Sequence, residues 1–393
     1  MFETTSKPAV IQAIAPARVN LLGEHTDYTG GLVLPLAIPF STQAHIEPNE
    51  HPTYRFRTDL FPEVREFALD DRSSAIRQWS DYPVGVLREL QRKNIELPPF
   101  TLHLSGNVPF GAGLSSSASV EVASCLAMLT LAGRSLPEKE IALLCQRAEN
   151  VYVGSPCGIM DQFVITAAKA GHALLLNTRD LSYELLPMNR GGLSEMRLIV
   201  CNSGVKHSVA GGEYGVRRRQ LEEGQTVIRT QFPALRDLGD ATMVEVEACA
   251  SMMSPESFRR CRHVVTENER VRQARPAMFA GDPVALGQLM ITAHASQRDD
   301  FECSCEEMDF LVDTAVALPG CFGARMTGGG FGGCTVNLVK REDSAAFMEA
   351  LVKAYQERFH LTAQVYECEP VDGAILRSAA LPGGYVPFAE EKA

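Results

Sequence analysis

From Ser115 to Leu131 the chain places Val120, Ala123, Ala127 and Leu131 at helical spacing with no proline or glycine, which predicts a helix over 115–131. "PEKEIALLCQRAENVYV", Pro137 to Val153, sets proline at a first-turn position with acidic residues behind it and predicts a second helix. "TLHLSGNV", Thr101 to Val108, alternates apolar and polar residues and predicts a strand. "GLVLPLAI", Gly31 to Ile38, predicts another. "HALLLNTRD" reads as a buried strand and "RLIVCNS" as the next one. The softer "LLPMNRGGLSEM" between them places a domain boundary near Arg190, giving units of 1–190 and 191–393. The second half is rich in helical pattern until "RMTGGGFGGCTVNLV", a glycine-rich turn feeding an alternating strand. No internal repeat or low-complexity tract interrupts the chain.

Composition changes this picture only by exclusion. A length of 393 residues fits two domains, and 45% hydrophobic with 22% charged residues is ordinary for a globular protein. The net charge of −11 argues against non-specific nucleic-acid binding, which needs clustered Lys and Arg. Arg217, Arg218 and Arg219 form the nearest basic cluster, and a solvated or carboxylate-paired helix face is its ordinary reading. No apolar run is long enough for a membrane span, and "MFETTSKPAVIQ" lacks the apolar core of a secretion signal. Eleven cysteines without a C-x-x-C pair, the nearest being Cys303 and Cys305, point to reduced thiols and a cytoplasmic location.

Three segments do not look like core. In "PFGAGLSSSAS", Gly111 and Gly113 let the backbone approach a ligand closely, and the first N–H groups of the following helix have no intrahelical partner. Ser115, Ser116 and Ser117 add hydroxyls, and the helix dipole adds partial positive charge. A single capping serine would account for a plain helix start, so three serines after G-x-G favour a phosphate. Neither a Walker A loop nor a dinucleotide fingerprint is present. In "APARVNLLGEHTDYTGG", Arg18, Glu24, His25 and Asp27 crowd within ten residues and lead into an apolar strand. A mixed-charge surface loop is the bland alternative, whereas clustered carboxylates suit a polyol. In "ENVYVGSPCGIMDQF", Asp161 sits in an apolar, glycine-flanked turn. It is either a cap or a partly buried acid whose partner is Arg18. Glu149 ends a helical stretch, where the dipole disfavours a carboxylate, and so becomes a candidate metal ligand.

Together "ARVNLLGEHTDY", "PFGAGLSSSASVEVA", "CGIMDQ", "GEYGVRRRQ" and "RMTGGGFGGCTVNLV" resemble, in order, the motifs of the galactokinase family within the GHMP small-molecule kinases. The resemblance spans roughly residues 10 to 370. Ala17 stands where that family usually has Gly, and Leu22 where it has Ile. The implied fold is α+β: an N-terminal domain like the second domain of ribosomal protein S5 and a ferredoxin-like C-terminal domain, with the site between them. The implied reaction transfers the γ-phosphoryl group of ATP to the C1 hydroxyl of α-D-galactose, the committed first step of the Leloir pathway.

By the same resemblance Arg18 and Asp161 form the catalytic pair. Glu24, His25, Thr26, Asp27 and Tyr214 contact galactose. Gly111, Ala112, Gly113, Leu114, Ser115, Ser116 and Ser117 cradle the ATP phosphates, and Ser117 and Glu149 hold Mg²⁺. Trp79 and Tyr82 flank the adenine, and a monomer is expected. A kinase for another small alcohol and a galactose sensor without turnover are the rivals. "GEHTDY" argues against mevalonate and homoserine, and the intact "GLSSSAS" argues against the sensor.

Overall fold

The longest apolar run builds the centre of the first half. In this computed structural model, which describes residues 11–109, 111–206 and 212–378, the predicted helix runs from Ser116 to Leu131. Phe110 and, as far as residue 10, the segment read for a secretion signal lie outside the described residues. The helix is apolar on nearly every side and is accordingly buried on nearly every side. Val120 and Leu131, half of the spaced set that predicted it, are its more exposed positions.

The strands are β1 (Ile11–Asn20), β2 (Leu32–Val33), β3 (Pro35–Pro48), β4 (Thr53–Thr58), β5 (Phe61–Ala68), β6 (Phe100–Gly106), β7 (His172–Asn177), β8 (Tyr183–Pro187), β9 (Met196–Lys206), β10 (Cys321–Thr327), β11 (Gly332–Lys340), β12 (Gln364–Cys368) and β13 (Ile375–Ser378). The helices are α1 (Asp81–Arg92), α2 (Ser116–Leu131), α3 (Glu138–Arg147), α4 (Met160–Ala167), α5 (Glu213–Gln231), α6 (Met243–Ala248), α7 (Pro255–Ala280), α8 (Pro283–Ser296), α9 (Glu306–Ala317) and α10 (Ser344–Phe359).

Three sheets result, ordered β13-β1-β3-β6-β4-β5, β10-β11-β9-β12 and β2-β7-β8. Helix α2 packs on β1 and β3 and is flanked by α1, α3 and α4. Taken in chain order, the second sheet reads 4-1-3-2 with helices in its crossovers, the ferredoxin-like arrangement. The segment Gly31–Ile38 is not one strand. It divides into β2, which pairs with β7, and the start of β3, which pairs with β1. A continuous apolar run carries no period that could show where one strand leaves a sheet and the next enters another. The predicted helix over 137–153 is α-helical to Arg147 and then widens into a π-helical turn, Ala148–Val153.

The last strand, β13, returns to pair with β1, Ile11 opposite Ser378, so the second half of the chain completes the first sheet. We retain the division near Arg190 as a proposal with that strand assigned to the N-terminal layer. All eleven cysteines are free thiols. Of the basic cluster, Arg217 pairs with Glu213 at 3.0 Å and Arg218 with Glu222 at 3.1 Å, the expected carboxylate-paired face. Among the described residues no helix is long and apolar enough to cross a membrane.

Candidate active site

Arg18 lies near the end of β1, where the strand is buried on both faces, and its side chain is buried with it. Its guanidinium grips Asp161, in the first turn of α4, with two parallel bonds: Nε to Oδ1 at 2.7 Å and Nη2 to Oδ2 at 2.8 Å. Nη1 donates to the carbonyl of Gly113 at 2.7 Å. Burial works against the arginine's charge, and Asp161 more than restores it, so the guanidinium stays firmly protonated. Ala17 has no left-handed backbone and packs in the core beside Val19 and Leu36, so its methyl is accommodated where glycine is customary.

Ser115 does not cap α2. It adopts a left-handed conformation (φ 61°), makes no capping bond, and turns its hydroxyl to donate to Asp161 Oδ2. The helix mouth thus keeps its free N–H groups, with Gly111 and Gly113 exposed and Ser116 and Ser117 half-buried. Ala112 and Leu114 alternate with those glycines and point into the core, anchoring the loop. The second glycine-rich segment packs against this loop. A Cβ on Gly328 (φ 91°) would lie 3.1 Å from the Gly113 carbonyl oxygen, a distance that only a bare backbone tolerates comfortably. Ser119 is structural and donates to the Ala15 carbonyl at 2.8 Å.

The residues after β1 form a tight loop. Glu24 is buried, and its Oε1 accepts from the Gly328 N–H at 2.7 Å and the Thr327 hydroxyl at 3.2 Å. Burial raises its pKa, opposed by Arg325 and Arg18. His25, at φ 62°, stacks on Phe301 with ring centroids 4.0 Å apart and meets the Tyr28 hydroxyl at 3.0 Å. Burial, followed by His263 and Arg325, lowers its pKa to about 3, so the ring is neutral. The Thr26 hydroxyl is fully buried and serves the loop itself, facing the carbonyls of Gly23 at 2.8 Å and Leu32 at 2.7 Å. Of the five residues expected around a sugar, Glu24, His25 and Thr26 are all buried, and Thr26 is the one whose hydroxyl bonds to the loop's own carbonyls. Burial pushes Asp27 up to about 7, helped by Asp161 and Glu24. Tyr214, from α5, also feels Asp27 and Asp161, and burial pushes it to about 12.

Gly158 explains itself here. A Cβ at that position would fall 1.8 Å from Asp27 Oδ2 and 2.1 Å from its Cγ. Gly158→Ala must therefore displace the carboxylate. With Asp27 expected at the sugar, a displacement of about 1 Å is expected to lower kcat/KM for the sugar by about 100-fold. Initial rates at varied sugar and fixed saturating nucleotide measure this, with KM for the nucleotide expected unchanged.

Glu149 sits in the π-helical turn, a local widening often found at functional sites. Its Oε2 accepts from Gln162 Nε2 at 2.8 Å and from the Cys157 thiol at 3.6 Å, and the Ser117 hydroxyl bonds to the same carboxylate. These partners are all neutral, and burial with Asp161 raises the carboxyl to about 7. A carboxylate so placed fits a cation. Among the described residues no group of three or more His, Cys, Asp or Glu is arranged to hold a metal alone. Ser117 and Glu149 therefore fit an ion that takes its remaining ligands from phosphate oxygens, the habit of Mg²⁺.

Sequence reading missed Glu121 and Gln162. Gln162 Nε2 bridges Glu149 to Glu121 Oε2, the latter at 3.1 Å, and both residues are fully buried. Glu121 had a signal, being the lone charge in α2. Tyr82 lies close enough to Glu149 and Glu121 to feel both charges, whereas Trp79 packs against the N-terminal core.

A glycine-and-serine helix mouth, an arginine–carboxylate pair beside it and a ferredoxin-like second sheet closing over both define a small-molecule kinase of the GHMP class. Residues 81–169 match the GHMP kinases N terminal domain, 274–357 the GHMP kinases C terminal domain, and 2–48 the galactokinase galactose-binding signature. Galactokinase of Chloroflexus aggregans is 42% identical over 363 residues, 92% of each chain, and that of Streptomyces coelicolor is 43% identical over 368 residues, again 92% of each. The chain belongs to the galactokinase family. The solved structure of Lactococcus lactis galactokinase complexed with galactose superposes with a TM-score of 0.87 at 32% identity, covering 93% of this chain and 94% of that one. Mevalonate kinase of Methanococcus jannaschii, at 16% identity and a TM-score of 0.66, shares the fold. The enzyme is thus an ATP-dependent sugar kinase.

Proposed function

We propose that the enzyme transfers the γ-phosphoryl group of ATP to the C1 hydroxyl of α-D-galactose, yielding α-D-galactose 1-phosphate and ADP. The observation that carries this reading is the bidentate Arg18–Asp161 pair, touched on one side by the Gly113 carbonyl and on the other by the Ser115 hydroxyl. It puts a fixed positive charge and a proton acceptor at the edge of the phosphate loop.

The loop from Gly111 to Ser117 holds the triphosphate through backbone N–H groups and hydroxyls. Glu24, His25, Asp27 and Tyr214 line the sugar, with Thr26 holding their turn. Arg18 steadies charge on the attacking and transferred oxygens. Asp161 accepts the hydroxyl proton. A carboxylate is a far weaker base than a sugar alkoxide, so the proton moves late, as the O–P bond forms. Ser117 and Glu149 hold Mg²⁺, which when bound neutralises phosphate charge. The test is ADP release measured with galactose, glucose, N-acetylgalactosamine and mevalonate. Fast turnover on galactose is expected, and tight galactose binding without ADP release would refute the kinase.

The raised carboxyl of Asp27 adds a pH dependence. Its ionised form, the better acceptor for sugar hydroxyls, predominates only above about 7. KM for galactose is therefore expected to rise as pH falls below about 7, while Asp27→Asn, with no proton to gain, shows a flat profile. Galactose KM measured from pH 5.5 to 8.5 in both proteins checks this.

A further inference from the structure

The loop from Gly23 to Leu32 carries the side chains assigned to the sugar, yet its own backbone is fastened from the other half of the chain. Three consecutive-face residues of α7 do this. Glu267 Oε1 accepts the Gly23 N–H at 2.7 Å, His263 Nε2 lies 3.1 Å from the Glu24 carbonyl oxygen, and Asn268 Oδ1 accepts the Leu32 N–H at 2.7 Å. All three side chains are buried, none more than 1% exposed. They hold the two ends of the loop and touch none of its carboxylates.

Glu267 is itself braced from two sides, by Arg325 Nη1 at 2.9 Å and Arg270 Nε at 2.6 Å. Arg325 belongs to β10, two residues before Thr327, and Nη1 also donates to the Leu21 carbonyl at 3.0 Å. The strand that carries Arg325 therefore also presents the Thr327 hydroxyl and Gly328 N–H to the Glu24 carboxylate. Within the loop His25 adopts a left-handed backbone, a conformation that persists only where its surroundings impose it. The loop closes its own turn through the Thr26 hydroxyl and carbonyl, but its two ends are fixed in place by α7 and β10.

We infer that Glu267, Asn268 and His263 are positioning residues for the sugar: α7 sets the spacing of Glu24, His25 and Asp27 and thereby the affinity for galactose, without bearing on the nucleotide. This rests on the assignment of the loop to the sugar. The phosphate loop is held by Arg18, by Ala112 and Leu114 in the core and by the packed Gly328 turn. The three α7 side chains bond to the other loop, so the two substrates are expected to respond separately to changes in α7.

The test compares Glu267→Gln with Glu267→Met. Both remove the charge, but only glutamine keeps an oxygen for the Gly23 N–H and Arg325 Nη1, so the comparison tests the hydrogen-bonded contact apart from the charge. Glu267→Met is expected to raise the galactose KM, and the Kd measured by calorimetry without nucleotide, about tenfold over Glu267→Gln, equivalent to about 1.4 kcal/mol. KM for ATP stays within about twofold in both. If Glu267→Met does not fold, Asn268→Leu decides: it removes the acceptor for the Leu32 N–H without stranding a charge, and the same tenfold rise in galactose Kd is expected. Equal galactose Kd in the deciding pair, or a proportional rise in the ATP KM, would overturn the inference. Galactose turnover by the unaltered enzyme is measured alongside. Its absence would refute the sugar assignment itself, whereas normal turnover with unchanged variants would refute only the role of α7.

Discussion

Asp161→Asn is expected to lower kcat by about 10²- to 10⁴-fold, the usual loss when a general base is removed, and to leave KM for galactose and ATP within a few fold. Asparagine keeps the size of the side chain and one acceptor oxygen for the Arg18 fork, so binding surfaces change little. What disappears is the proposed proton acceptor, together with the second oxygen that receives Arg18 Nη2 and the Ser115 hydroxyl. Single-turnover phosphoryl transfer with pre-bound galactose measures the chemical step directly. A fall of less than about tenfold would leave Asp161 as an electrostatic anchor for Arg18 and not as the proton acceptor. The substitution also leaves the Arg18 charge buried with less compensation, so a lowered thermal midpoint should accompany the lost rate.

Arg325→Met is expected to cost about 3–5 kcal/mol of stability, the usual penalty for breaking a buried ion pair by removing one partner. Arg325 and Glu267 are both fully buried, and the guanidinium also satisfies the Leu21 and Met326 carbonyls, the latter at 3.0 Å. Methionine fills much of the volume but strands those oxygens and leaves Glu267 with Arg270 and the Gly23 N–H. Urea unfolding followed by fluorescence and circular dichroism gives the figure. The pair also has a pH signature. Despite burial, Arg270 and Arg325 hold the Glu267 carboxyl far below its ordinary value. A carboxyl depressed in the folded state stabilises the fold above its unfolded pKa, about 4.3, and this contribution fades as pH falls below that value toward the depressed one. The acid-unfolding curve of Arg325→Met should therefore be less steep in this range than that of the unaltered enzyme.

Much of this enzyme was legible in its residues because its chemistry is written locally. Three serines after two spaced glycines announce a helix mouth suited to an anion, since the free N–H groups, the dipole and the hydroxyls all belong to one short stretch. The α2 helix, the strands β6, β7 and β9, and the glycine-rich turn after β10 follow from apolar runs and their punctuation. The pairing of Arg18 with Asp161 was also open to reading, because an acid in an apolar turn needs a cation. Less legible were the elements whose form depends on a distant neighbour. The split of Gly31–Ile38 between two sheets and the π-helical turn around Glu149 leave no mark in periodicity. One of the three serines could have served as a plain cap, and only the structure shows Ser115, in a left-handed backbone, turning its hydroxyl to Asp161 instead.

The residues by themselves thus determined the family, the α+β architecture and the groups available for phosphoryl transfer. The tertiary structure alone decided how the loop from Gly23 to Leu32 is held: Gly23, Glu24 and Leu32 are fastened by side chains of α7 more than 200 positions away, with separations of 244, 239 and 236 residues. It likewise decided that Thr26 serves its own turn, that Gly158 leaves room for Asp27, and that Glu121 joins Glu149 through Gln162. The physical reason is the same in each case. A residue's intrinsic chemistry and its neighbours along the chain act over a few positions, whereas burial, hydrogen-bond partners and shifted acidity are set by whichever segments folding brings within a few ångströms.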